Sequence, residues 1–189
     1  FVDTQMNTKK GEWKIGGDIY NEEQDVAKHF PDRPKMQYQY LISYTSSTSE
    51  KFHSVTYEFS TYEFTGGANG NTTITTFTLT DAGLVDIQKV INFAENNNDI
   101  ALSKVLAKQI IAAGDEYTNQ DMVNEGLGIA YLKEDGKTLD KEKCHCDGFF
   151  FPSNFMNFAL EDNGIRFMFS KYQVAPGAVG TPDYLLTWD

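Results

Sequence analysis

The spacing of apolar and polar positions along the chain changes period twice. Met36, Tyr38, Tyr40, Ile42 and Tyr44 alternate with Gln37, Gln39 and Ser43, the period of a half-buried strand. Val55, Tyr57 and Phe59 repeat the alternation at odd positions, but Tyr62 and Phe64 continue it at even ones. That parity switch predicts a β-bulge near Ser60-Thr61. After a glycine-rich stretch, Thr72 to Leu79 is dense in β-branched residues and predicts the third strand of an antiparallel meander. The period then lengthens. Thr80-Asp81-Ala82-Gly83 leads into a short predicted helix with Leu84, Val85, Ile87, Val90 and Ile91. A longer helix over 97–113 places Leu102, Val105, Leu106, Ile110 and Ala113 on one stripe, with Ser103, Lys104, Lys108 and Gln109 on or near the other face. Gly114 closes it, and a third helical turn fits within 115–126.

Beyond a charged segment whose expected turn is Asp135-Gly136, strand character returns. Phe149, Phe150, Phe151, Phe155, Phe158 and Leu160 carry it. A turn at Asp162-Asn163-Gly164 precedes a strand with Ile165, Phe167 and Phe169, and Tyr184-Leu185-Leu186 forms the last. Strands, then helices, then strands predict an α+β fold, with an antiparallel sheet (meander plus C-terminal strands) packed against two or three helices. Residues 1–34 are polar and end in the breaker Pro31-Asp32-Arg33-Pro34. The expected organisation is a polar N-terminal extension, 1–34, and one α+β domain, 35–189.

The glycine stretch Thr65-Gly66-Gly67-Ala68-Asn69-Gly70-Asn71 is the first place to look for phosphate chemistry. A phosphate cradle needs a helix N-terminus behind its glycines, and here a strand follows. The stretch therefore predicts a strand-to-strand turn, with Gly and Asn supplying positive φ.

Composition narrows the partners. Aromatics make up 14% of the 189 residues, enough for a packed globular core. A net charge of −11 opposes binding to nucleic acid and anionic membrane surfaces, which demand a basic footprint. No apolar run reaches spanning length. The chain begins at Phe1, and its first thirteen residues are polar; a leader removed upstream is expected, an arbitrary boundary being the other reading.

Candidate chemistry is sparse. Cys144 and Cys146 flank His145. They are either a redox pair or half of a metal site, or two small residues in a local turn, paired or not; a Cys-x-Cys disulfide sits at the edge of allowed geometry. No metal set is expected, since a structural site needs four ligands. Glu58 with Glu63, or Asp81 with Asp86, could be proposed as a glycosidase pair, against the plainer roles of sheet edge and helix cap. No G-x-S-x-G or H-E-x-x-H is present. Tyr38, Tyr40 and Tyr44 share a strand face. The commoner arrangement puts such a stripe in the core beneath a helix, and 97–113 is the expected cover. The other reading is an aromatic platform for sugar rings or a partner protein.

Two segments together resemble a bacterial family. The first runs through Ser54-Val55-Thr56-Tyr57-Glu58-Phe59 and Tyr62-Glu63-Phe64 into the glycine turn, where Gly66, Gly67, Ala68 and Gly70 match. The second runs from Phe158 through Phe167 and Phe169 to Tyr172-Gln173-Val174-Ala175-Pro176-Gly177-Ala178-Val179-Gly180. They are similar to the extracytoplasmic domain shared by RsiV-type anti-sigma factors and PdaC-type peptidoglycan deacetylases, domain of unknown function 3298 with its upstream companion, over roughly residues 36–189. The family's histidine in the glycine turn is Asn69 here, and its second tyrosine in the closing motif is Gly177, giving Pro176-Gly177 as a type II turn pair. Phe167, Phe169, Tyr172, Ala175, Pro176 and Gly180 are then structural positions of the motif.

The resemblance implies an extracytoplasmic module, periplasmic or cell-surface, free of its leader or part of a lipoprotein. No catalytic residue and no cofactor carries over, because in the deacetylases the chemistry lies in a separate domain. In the anti-sigma relatives the comparable domain binds lysozyme, a basic protein that an acidic chain would suit. The expected function is a non-catalytic binding or sensor module for such a protein or a cell-wall glycan, with Tyr38, Tyr40, Tyr44, Glu58, Glu63 and Asn69 as candidate contacts. The alternatives are a carboxylate-dependent cell-wall hydrolase and a ligand-free accessory domain of a lipoprotein.

Overall fold

The structure, a computed structural model, describes residues 1–14, 16–32, 38–66, 69–93, 95, 97–114, 118–144 and 153–188. Met36, Gln37, Gly67, Ala68, His145, Cys146 and Phe149–Phe151, on which expectations fell, lie outside them. The described chain divides into two compact units, Phe1–Ile42 with Tyr62–Asn71, and Ser43–Thr61 with Thr72–Asp189.

In the first unit, residues 1–32 hold two helices, α1 (Val2–Trp13) and α2 (Asp18–His29). Neither buries a residue fully, and α1 carries no apolar stripe that would announce it. Lys9 of α1 bonds Glu12 and Glu63, each at 2.7 Å, and Tyr40 donates to Gln5. Trp13 meets Tyr38 and Tyr40 with ring centroids 6.3 and 6.4 Å away.

The expected α+β class holds, with the strands divided between two antiparallel sheets. One has the order β1 (Gln39–Ser49), β2 (Ser54–Phe64), β3 (Asn71–Thr80), β4 (Gly83–Leu84). The other has the order β5 (Phe158–Glu161), β6 (Gly164–Met168), β7 (Asp183–Thr187). Strand β1 outlasts its predicted end at Tyr44 through Thr-Ser-Ser-Thr-Ser, a run whose hydroxyls hide the alternation. The parity switch at Ser60-Thr61 falls within β2, where that strand leaves one unit for the other. Leu84 lies in β4 and not in a helix, because Gly83 at φ +102° turns the chain back on β3, pairing Leu79 with Leu84.

Helices α3 (Ile87–Val90), α4 (Asn98–Ala113) and α5 (Gln120–Gly126) follow. α4 buries Ile100, Leu102, Ser103, Leu106, Ala107 and Ile110, so its inward stripe is turned from the expected one: Ser103 is inside and Val105 half exposed. Leu102, Leu106 and Ile110 join Phe155, Phe158, Leu160, Ile165, Phe167 and Phe169 in the main core. The register Phe158↔Phe167 and Phe167↔Tyr184 puts these side chains on one face of the β5–β7 sheet. Gln109 fastens α4 there by donating to the Leu185 carbonyl at 2.8 Å. The predicted cover therefore lies on the second sheet.

In the second unit, the opposite face of β5–β7 meets β2 and β3. Ile74, Ala159 and Met168 cluster there, and hydroxyls link the strands. Thr56 and Thr78 share a buried hydrogen bond of 2.9 Å, Thr78 donates to the Phe158 carbonyl, and the Phe158 amide donates to Thr76. The outer edge of β3 is satisfied by side chains: the Ile74 amide donates to Ser170 and the Thr76 amide to Asn157. The β1–β2 turn is held on Asp162, which accepts from Ser49 (2.6 Å) and the Lys51 amide (3.0 Å) and so stays below its ordinary 3.8.

Both family-motif corners have clear local causes. In the first turn Gly66 takes positive φ (+92°), and buried Gly70 leaves room for the ring of Tyr62. At the second corner the expected type II turn is replaced. Gly177 does not take positive φ, while Tyr172 (+70°) and Gly180 (+83°) do. The Tyr172 ring lies where a Cβ on residue 177 would stand, so Gly177 is needed for space. Val174 and Ala175 anchor the corner in the interior.

Candidate functional site

Two surfaces of the second unit deserve chemical scrutiny, one on each face of the β1–β3 strands. On the outer face, alternation brings Tyr44 of β1, Tyr57 and Phe59 of β2, and Phe77 of β3 into one row. Tyr44 lies 6.5 Å from Tyr57 and 5.7 Å from Phe59, and Phe59 meets Phe77 edge-on at 5.8 Å. These separations are those of mutually supporting aromatic pairs. The row is open: Tyr44 is 65% exposed and Tyr57 37%, and the adjoining Leu79 and Leu84 are 39% and 60% exposed. Rings and two leucines side by side form an apolar patch of the kind that marks a binding surface.

On the inner face, a recess of about 170 Å³ lies between the hydroxyl-bearing end of β1 and the second sheet, with Glu58, Glu161 and Arg166 in its wall. Arg166, on the middle strand, donates to both oxygens of Glu161 (2.5 and 3.2 Å) and to Asp183. These partners raise its pKa further above its ordinary value. Burial, then the charge of Asp183, push the Glu58 carboxyl above its usual 4.5, with Arg166 pulling the other way. Glu58 stands beside a group whose other members are paired with one another. The guanidinium is already committed to two carboxylates, so it offers little to an anionic ligand.

The residues singled out from the sequence separate. Tyr38 and Tyr40 meet Trp13, and Tyr44 alone of the three stands in the open row. The carboxylates weighed as hydrolase pairs have these settings: Glu63 is paired with Lys9, Glu58 lines the recess, Asp81 is exposed in the β3–β4 turn, and Asp86 caps α3 by accepting from the Gln88 amide. Asn69 is exposed. Cys144, at the end of a short helix Lys141–Cys144, is disulfide-bonded, and Cys146 lies outside the described residues. Among the described residues no three His, Cys, Asp or Glu side chains group as metal ligands. No described helix is long and apolar enough to cross a membrane.

Sequence reasoning missed Tyr57, Phe59 and Phe77 as members of the tyrosine row, and missed Arg166 with its carboxylates. The first were legible as same-parity aromatics on neighbouring strands. The second needed the pairing of β5, β6 and β7, which separates Glu161 from Asp183 by more than twenty residues of chain.

A family described as a protein of unknown function, DUF3298, matches residues 93–189, which hold α4 through β7. In structure the chain is similar to a member of the DUF3298 family from Bacteroides fragilis, with a TM-score of 0.54, 18% identity, and coverage of 90% of this chain and 59% of that one. It is also similar to a DUF3298 family protein from Pseudomonas aeruginosa, with a TM-score of 0.48 and 15% identity over 86% of this chain and 64% of the other. The chain thus spans less than two thirds of the length of either relative. At 18% identity, the likeness to the Bacteroides fragilis protein is one of fold. No curated protein matches.

Proposed function

Since this chain belongs to the DUF3298 family of unknown function, we propose that it is a non-catalytic, extracytoplasmic binding module of a bacterial cell-envelope protein, whose outer β1–β3 face holds a cell-wall glycan. The observation that carries this reading is the open row Tyr44, Tyr57, Phe59 and Phe77. Sugar rings present apolar C–H faces, and these stack on the electron-rich faces of aromatic side chains. A row of rings on a rigid sheet offers successive sugars the same contact with little ordering cost.

The remaining elements of the proposal have their own support. Disulfide bonding at Cys144 fits an oxidising compartment. The commitment of Arg166, Glu161 and Asp183 to one another fits a structural more than a catalytic role. The resemblance of both corner motifs to RsiV- and PdaC-type domains fits an envelope setting. A second reading, a basic protein partner such as lysozyme, draws on the net charge of −11.

Co-sedimentation with insoluble peptidoglycan tests the first reading. The chain is expected to sediment at both low and high salt, and the double variant Tyr44→Ala/Tyr57→Ala to stay in solution while melting like the parent. Failure of the parent to sediment overturns the glycan reading. Capture of lysozyme at low salt alone would support the protein partner instead.

A further inference from the structure

Beside the aromatic row lies a second concavity, which rests on the glycan reading and sharpens it. It is a pocket of about 450 Å³ between the β3–β4 edge, the start of α3 and the segment before β5. That volume falls within the range of small-molecule sites, and the lining is of the matching kind. Phe77, Leu84, Val85 and Met156 supply apolar wall, and Asp86 and Gln88 supply polar groups. Two of these residues tie the pocket to the row. Phe77 is the ring that closes the row against Phe59, and Leu84 sits on the same outer face through its pairing with Leu79. A chain of sugars lying on Tyr44, Phe59 and Phe77 is led to the pocket mouth.

We propose that this pocket receives the acetamido group of an N-acetylated hexosamine, so that the recognised glycan is N-acetylated. The methyl of that group is small and apolar and matches the Met156 and Leu84 side chains, which are 63% and 60% exposed and so gain by being covered. Its amide has one donor and one acceptor. Gln88 presents both kinds of group in its own side-chain amide. The capping bond of Asp86 to the Gln88 backbone fixes the start of α3, the backbone from which the Gln88 side chain extends.

The test is calorimetric titration of the intact chain with two β-1,4-linked tetrasaccharides, one of N-acetylglucosamine and one of glucose. Both can stack on the row, and only the first carries acetamido groups. The N-acetylated oligomer is expected to bind about tenfold more tightly, the yield of one covered methyl and one amide hydrogen bond. Met156→Arg, which fills the pocket from an exposed position, is expected to bring the two affinities within about twofold. Gln88→Ala gives the same readout from a second exposed position should Met156→Arg fold poorly. Equal affinities in the parent overturn the pocket assignment and leave the row in place. A preference that survives both variants also overturns it. Binding of neither oligomer overturns the pocket and the aromatic row together.

Discussion

Phe155, Phe167 and Phe169 have no solvent-exposed surface, sealed beneath α4 and α5, whereas Tyr44 on β1 gives 65% of its surface to water. Both groups arise from alternation on antiparallel strands, and both gather aromatic rings within 5–7 Å of one another. The difference lies in which face the connecting helices reach. The chain leaves β3, turns at Gly83 and Asp86, and delivers α4 to the β5–β7 sheet, where Gln109 ties it to the Leu185 carbonyl. No described element covers Tyr44 in the same way. An open aromatic row forgoes the burial that the covered sheet obtains, and this contrast is what supports the proposed binding role.

Substitutions on the two faces make the contrast measurable. Phe167→Ala is expected to lower stability by about 3–5 kcal/mol in urea denaturation, the cost of a large cavity in a close-packed core. Tyr44→Ala is expected to stay within about 1 kcal/mol of the parent, because little surface is buried there. A large loss at Tyr44 would mean that the row is a core missing its cover, and the comparison would fail.

Gly164→Ala probes how tightly the covered sheet is built. An added Cβ would run into the Leu186 carbonyl and the Leu185 side chain, across the β6–β7 pair. A loss of about 1–3 kcal/mol is expected from the same denaturation measurement. A neutral result would show that this sheet yields more readily than its packing implies.

Asn157→Ala removes the acceptor that satisfies the Thr76 amide on the outer edge of β3. The expected cost is about 1 kcal/mol, with faster amide exchange at Thr76 as the local signature. Unchanged exchange there would indicate that another acceptor takes over.

The smallest effect belongs to Glu58→Gln. A carboxyl held above 4.5 in the folded chain binds its proton more tightly than in the unfolded chain. Its contribution to stability is therefore complete below pH 4.5 and is lost as the pH rises through the raised value. Parent and variant are expected to melt most alike below pH 4.5, the variant gaining on the parent at higher pH. A gap that widens toward acid would reverse the sign and remove burial as the cause.

Much of this was legible in the residues. The alternation at Tyr40 to Tyr44 and Val55 to Phe59, the glycine turn and the long helix all predict elements found at or near those positions. The boundaries failed where side chains are ambiguous: Thr45 to Ser49 continues a strand without apolar residues, and the polar 1–32 region forms helices that bury nothing fully. The candidate site was half legible. Tyr44 stood out, but α4 was assigned to the wrong face, because amphipathicity says that a helix needs a partner and not which sheet it finds. Arg166 gave no signal, since its partners Glu161 and Asp183 meet it only through strand register.

The proposed ligand surface is the open aromatic row. Titration of the isotope-labelled chain with soluble peptidoglycan fragments, followed through the aromatic resonances, tests it most directly. Saturable shifts are expected at Tyr44, Tyr57, Phe59 and Phe77, with Phe155, Phe167 and Phe169 unmoved. Saturable shifts confined to residues around Glu58 and Arg166, or no shifts at all, would contradict it.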